Sequence, residues 1–506
     1  MVSSALALGL TVVTLLAFAA LGVWSTRGSD RSTDDFLTAR DSVGEGRMTA
    51  TLVASVMGVW TLLSAPEAGA GFGIAAVVGY GIGEAVPMLV YSKVGPRVRE
   101  LLPEGHSLTE YVHARYGSAM YGFVVLVSAL YMFVFVAAEL TGIAGALSLV
   151  AGVPQWQTAL LVGGFVLLYT GYGGLRATIV TDTVQAVLVA PLLAVVVGGV
   201  VLALGGPGAV YADVAAANPT LLDPTNLAGL QFGLALSFAI FGAEMVNQTW
   251  WQRIYAGRDS DTVARGFRSA SVLNGSIVVV AALLGIVAVG QGGVVTDVTS
   301  AAYNADVAFF ILVQSAFGEA VLLAVVLLAL LLVVSSVDSL FSALASLVTA
   351  DLQRLLADPD DRTLRLGARL LTAVVAVAAI YVSLRARSVL RLFFFADLLG
   401  AAVGVPLVYG LYSRRFTGRG ALVSSVAGLA VGLAFFPDFR GVITAVPVVG
   451  DLLPAADPLY LTAFGGAVVV STAVALLSAR LSSTTVDLDR LGESGSVAVA
   501  DGGSEN

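Results

Sequence analysis

TLVASVMGVWTLLSAPEAGAGFG, residues 51–73, decides how the chain is read. The stretch is apolar and long enough to enter a membrane, yet it does not read as one clean helix. Gly58, Gly69, Gly71 and Gly73 weaken it, Pro66 removes a backbone donor and Glu67 sets a charge in an apolar run. Irregular backbone at bilayer depth survives only where protein buries it or where it lines a cavity. A membrane helix interrupted in this way frees carbonyls that hold ions and small solutes. The competing reading is a helix kinked for packing, because Gly and Pro are common in membrane helices. The stretch alone leaves both open.

Composition settles the class. The chain has 506 residues, 58% of them hydrophobic and 12% charged, which no soluble protein of this size matches. An all-α polytopic membrane protein embedded in the lipid bilayer is expected, and the absence of alternating strand patterns excludes a barrel. There is no cysteine, so disulfides and thiolate metal sites are excluded, and His106 and His113 are too few for an imidazole centre. Nothing reads as a catalytic residue, and neither an enzyme, an organic cofactor nor a nucleic-acid partner is expected. The net charge is −8, Lys93 is the single lysine, and acids cluster as at Asp358, Asp360 and Asp361. That balance suits a salt-rich cytoplasm. Val2 to Trp24 is long enough to span and is followed by a charged loop rather than a cleavage site.

Apolar windows of about twenty residues mark about thirteen transmembrane spans. They lie near 2–25, 48–72, 73–95, 119–150, 155–174, 179–205, 227–252, 268–294, 319–352, 364–385, 388–413, 420–437 and 459–480. Residues 1–480 form the membrane domain, and 481–506 read as a disordered acidic cytoplasmic tail. One set of loops carries Arg27, Arg31, Arg40 and Arg47, then Lys93, Arg97, Arg99 and Arg115, then Arg176, Arg253, Arg258, Arg265 and Arg268, and further clusters at 354–369, 414–419 and 480–490. The opposite loops hold only Arg385, Arg387 and Arg391, and Arg440. The positive-inside rule therefore puts the N-terminus outside and the C-terminus in the cytoplasm of a plasma-membrane protein. An odd number of spans agrees with that. The Arg385 cluster stands against the rule.

Two segments carry the chemistry. VVSSVDSLFSALASLVTADL, 333–352, repeats serine at helical spacing: Ser335, Ser336, Ser339, Ser342 and Ser346. Such hydroxyls bond the carbonyl four residues back or join two helices. Adjacent Ser335 and Ser336 beside a broken helix also suit sodium, a hard cation that takes neutral oxygens. YTGYGGLRATIVTDTVQAVLV, 169–189, turns at its glycines and then embeds Asp182 and Gln185 in an apolar helix. An embedded acid marks a functional site unless it only pairs with an arginine such as Arg176.

GYGGLRATIVTDTVQ resembles the signature of the sodium/solute symporter family, and the similarity covers nearly the whole chain. DDFLTARDSVGEGRM (34–48), LTEYVHARYG (108–117), NQTWWQRIYAGRD (247–259) and the serine-rich segment resemble its other conserved stretches. The resemblance implies a LeuT-like five-plus-five inverted repeat, with core repeats at about 48–205 and 227–413 and broken helices at spans two and seven. It implies a sodium site from the carbonyls of Ala54, Met57 and Leu332 and the hydroxyls of Ser335 and Ser336. Leu332 replaces the family's usual alanine, but only its carbonyl is needed. Asp182, with Ser339, matches positions where some members hold a second ion or relay it inward.

The substrate is less legible. Val56 stands where the proline branch has an aspartate, and Val56, Thr61, Tyr80 and Gly83 replace the sugar branch's polar residues. ASVMGVWT (54–61) and WWQR are similar to urea-type members. Urea, an amino acid, a carboxylate or a similar small polar solute is expected. Gly58, Trp60 and Thr61 on span two, Phe241 and Glu244 on span seven, and Asp397 on span eleven are the cavity candidates. Glu244 and Asp397 at depth would favour a cationic or multi-donor solute. The expected function is sodium-coupled symport by alternating access. Its rivals are a proton-coupled carrier, a uniporter, or a membrane sensor on the same fold.

Overall fold

The computed structural model describes residues 2–25, 33–355, 361–386 and 388–492. Its helices are α1 (Ser4–Ser25), α2 (Thr33–Thr38), α3 (Glu45–Val56), α4 (Ser64–Leu101), α5 (Leu108–Tyr116), α6 (Ser118–Ala151), α7 (Gln155–Ala203), α8 (Pro207–Ala217), α9 (Leu227–Met245), α10 (Gln248–Ala256), α11 (Ser260–Gly290), α12 (Ala308–Ala316), α13 (Glu319–Leu355), α14 (Asp361–Ser383), α15 (Val389–Tyr409), α16 (Gly418–Phe435), α17 (Pro437–Thr444), α18 (Pro447–Leu452) and α19 (Leu459–Leu481). Among the described residues there is no strand, only an isolated bridge between Val43 and Gly257.

Among the described residues, eleven helical stretches are long and apolar enough to cross a membrane. Two of the thirteen expected spans are not among them. The one near 48–72 is divided into α3, a 3-10 turn at Val59–Leu62 and the start of α4. The one near 155–174 has an apolar helical run of only Gln155–Leu168 before the chain kinks at Gly174, where φ is 58°. These two interrupted segments lie where the remaining two spans are expected. A second kink, at Gly73 with φ 72°, separates the first turns of α4 from its long arm. Both kinks use glycine because an L side chain is strained at such angles.

Pro66 does not break the helix it sits in. It lies in the first turn of α4, where a missing N–H costs no intrahelical bond. The break comes earlier, at 57–63. Glycine governs how the helices pack around it. A Cβ at Gly285 on α11 would fall 1.8 Å from the Pro66 carbonyl oxygen, and one at Gly69 would fall 2.0 Å from that of Ala282. On α9, a Cβ at Gly242 would fall 2.2 Å from the Ala401 Cα of α15. In lipid, where water supplies little drive between helices, such close backbone approach supplies the packing.

The basic loops gather at one end. Arg99 pairs with Asp41 at 2.6 Å and donates to Gly257 O at 2.8 Å, and Arg40 donates to Pro103 O at 2.8 Å. Arg115, buried, donates to the carbonyls of Gly410 and Phe416. Asp259 caps α11 through the Thr262 N–H at 2.7 Å, and that bond holds its carboxyl down at about 2. The chain after α19 lies along the same end: Val486 N–H bonds Arg414 O at 2.7 Å, and Leu488 and Leu491 are buried. The remainder of the tail, 493–506, lies outside the described residues, as do Asp358, Asp360, Arg27, Arg31 and Arg387.

Candidate functional site

The site begins at the end of α3. A regular helix would carry the Gly58 N–H to Ala54 O. Instead it turns to Val56 O at 2.9 Å, and the Thr61 N–H goes to Gly58 O rather than Met57 O. The two carbonyls at Ala54 and Met57 therefore lose their backbone donors. The exposed N–H groups are taken up by a residue from another helix. Glu139 of α6 accepts Val59 N–H at 2.8 Å and Trp60 N–H at 3.4 Å. It also accepts the Ser336 hydroxyl at 2.8 Å. Glu139 is wholly buried, and a Cβ at Gly58 would overlap its carboxylate at 2.1 Å. Gly58 is thus the space Glu139 needs.

Ala54, Met57, Leu332 and Ser335 line one cavity of about 30 Å³, enough for one or two water-sized species. Ser336 faces away from it toward Glu139 and also reaches back to Leu332 O at 3.1 Å. The five residues expected to hold sodium are therefore within one short region, with four on a shared wall.

Below Ser335 lies a buried polar network. Ser335 donates to Asp182 Oδ1 at 2.6 Å, and Thr51 and Ser55 donate to Oδ2 at 2.5 and 3.0 Å. Asp182 does not pair with Arg176. Its partner is Arg253 of α10, 2.9 Å away, and both side chains are completely buried. Arg253 also donates to Ser55, to Ser339 at 2.9 Å and, through Nε, to Thr51 at 2.9 Å. One guanidinium thus ties α3, α7, α10 and α13 together. From sequence, Arg253 reads as one more loop arginine; its complete burial is the difference. Asp338, also buried, joins through Thr181 at 3.0 Å.

The second broken helix parts at Val246–Asn247. Asn247 caps α10 through the Thr249 N–H at 3.0 Å and donates to Glu244 Oε2 at 3.2 Å. Tyr131 donates to Glu244 Oε1 at 2.9 Å, and Trp250 Nε1–H also donates to Glu244. Glu244, Asp397 and Trp60 line a second cavity, also of about 30 Å³, between the two breaks. Trp60 faces this cavity rather than lipid and stacks on Tyr80, with centroids 5.8 Å apart and planes at 16°. Thr61 and Phe241 do not line it. Glu84 of α4 does, and sequence reading passed over it. Both Glu84 and Glu139 sit within long apolar runs, which is itself the signal that would have found them.

The sodium:solute symporter family model matches residues 36–428. The chain is 26% identical over 387 residues to a spermidine transporter of Candida albicans, covering 76% of this chain and 71% of that one. It is 23% identical over 459 residues to a urea-proton symporter of Oryza sativa subsp. japonica, covering 82% and 63%. Among solved structures, a Na+-coupled sialic acid symporter in a substrate-bound outward-open state superposes with a TM-score of 0.76 at 17% identity, over 95% of this chain and 99% of that one. That likeness establishes the LeuT-like fold.

Proposed function

The chain belongs to the sodium:solute symporter family, and from that premise we propose that it imports a small polar organic solute with sodium as the coupling ion, by alternating access. The observation that carries this reading is the pairing of two freed carbonyls, at Ala54 and Met57, with Ser335 across a 30 Å³ cavity. Sodium bound there, with Leu332 O and Ser336 completing its ligands, would clamp α3 to α13. That would order the solute cavity, whose wall includes Val56 at the edge of the break and Trp60 within it. Coupling between two such sites is typically ~1–3 kcal/mol, and the membrane potential adds ~2.3 kcal/mol per charge per 100 mV. Asp182 and Ser339, beneath the site, offer the ion its next oxygens on an inward path. A solute in the size range of urea or an amine fits the relatives' names, and a plasma-membrane location with the N-terminus outside fits the arginine distribution.

A second reading, proton coupling, draws on the buried carboxylates Glu139 and Asp182 beside the cavity and on the urea-proton relative. Sodium dependence of uptake at fixed pH in proteoliposomes separates the two. In the sodium reading, Ser335→Ala with Ser336→Ala lowers apparent sodium affinity about tenfold or more, roughly 1.4 kcal/mol, while the protein stays folded. Uptake that needs a pH gradient and ignores sodium in the unaltered protein would establish the other.

A further inference from the structure

The solute cavity holds an imbalance that the coupling ion does not remove. Three carboxylates from three helices line it: Glu84 on α4, Glu244 on α9 and Asp397 on α15, each 5% exposed. No arginine, lysine or histidine lines it. Their environments differ. Glu244 is satisfied by Tyr131, Asn247 and Trp250. Glu84 and Asp397 have no hydrogen-bond or ion-pair partner among the described residues. Two unpaired acids buried at membrane depth are costly in the ionised form unless a ligand supplies a counter-charge, and otherwise take up protons. Among the described residues no group of three acids converges as a metal site would require. Glu84 and Asp397 come from different helices, an arrangement that suits a molecule with a cation at each end. The remaining walls suit such a molecule. Trp60, Tyr80, Phe135 and Phe393 present aromatic rings, which take both methylene groups and ammonium ions on their faces.

On the reading that this cavity is the solute site, we propose that its solute is an organic dication of the α,ω-diamine type. One ammonium pairs with Glu84 and the other with Asp397. Glu244, held by its three donors, stays a hydrogen-bond acceptor for an N–H between them. A neutral amide such as urea offers donors but leaves both carboxylates without a counter-charge. At about 30 Å³ the cavity has room for one or two water-sized species, so a solute must part its walls, and a thin, flexible chain needs less opening than a ring.

The test is uptake into proteoliposomes under an inward sodium gradient, with 1,4-diaminobutane, butylamine and urea as competing solutes. The diamine is expected to be transported and to compete at least about tenfold better than butylamine, with urea weaker than both. Glu84→Gln and Asp397→Asn, each nearly isosteric, should each raise the KM for the diamine about tenfold and narrow its advantage over butylamine. Urea transported while the diamine neither enters nor competes would overturn the proposal, as would unchanged diamine KM in the double variant. The competition series in the unaltered protein decides even if the variants do not fold. Sodium-dependent thermal stabilisation, and its loss in Ser335→Ala with Ser336→Ala, reads the coupling separately. If that stabilisation persists while the diamine fails, only the solute class is wrong. If it is missing, the sodium reading itself falls.

Discussion

Arg253 shows how much one residue changes meaning with its surroundings. Its neighbours Arg258 and Arg265 are solvent-facing and pair with Asp259 and Glu45 at the surface, where such pairs contribute little. Arg253 has no exposed surface, and its one acidic partner by direct contact is Asp182. It sits too deep to reach water by extending, so removing the acid strands a buried charge. Asp182→Asn is therefore expected to cost about 3–5 kcal/mol of stability and to lower the melting temperature or the yield of folded protein sharply. Asp182→Asn with Arg253→Gln replaces the ion pair by two amides and should recover most of that loss. Thermal melts of the two variants in detergent check this. A single variant that melts like the unaltered protein would show that the pair does not hold the four helices. The double variant then asks about transport. Weakened sodium affinity in a well-folded double variant supports an ion relay at Asp182, and unaltered affinity makes the network structural.

At the scale of elements, the broken helix is maintained from outside itself. The 3-10 turn at 59–62 has no side-chain cap of its own, so its first N–H groups depend on Glu139. Glu139→Gln keeps one oxygen that can accept both the Val59 N–H and the Ser336 hydroxyl. Glu139→Ala leaves buried donors unpaired, at about 1–3 kcal/mol each, and opens space beside Gly58. Near-normal melting for the first and a clear loss for the second is the expected pattern, read by fluorescence-detected melts. Equal loss in both would mean that charge, rather than hydrogen bonding, holds the break. This arrangement also explains what the sequence could convey. Glycine, proline and an acid within residues 51–73 announce an interruption, but they cannot say where it falls. The deciding partner is 80 residues away, and the proline that looks disruptive lies harmlessly in a first turn. The family resemblance named the proposed sodium residues one by one, and the structure brings four of them to one cavity. The second cavity was legible only in part. Trp60, Glu244 and Asp397 were found, whereas Glu84, Tyr80 and Tyr131 meet them only once α4 and α6 are folded against α9 and α15.

For the whole molecule, the question is which end faces the cytoplasm. The contacts Arg99–Asp41, Arg40–Pro103, Arg115–Gly410 and Arg414–Asp489 bring loops that are far apart in sequence to one end of the bundle. The expected spans place an even number of passes between any two of these loops, as a shared end requires. The arginines counted against the positive-inside rule are engaged differently. Arg391 pairs with Asp438, Arg385 lies over the Tyr381 ring at 5.2 Å, and Arg440 covers the Phe435 ring at 4.7 Å while donating to Pro454 O at 2.8 Å. They are few beside the larger basic cluster, which sets the bias. The expected orientation has that cluster, and Asn506, in the cytoplasm and Met1 outside. An impermeant label should therefore react in intact cells with a tag at the N-terminus and not with one at the C-terminus. A C-terminal tag labelled from outside would invert the assignment. It would then place the Asp182–Arg253 network on the outer side of the sodium cavity, turning the proposed inward path into an entry path.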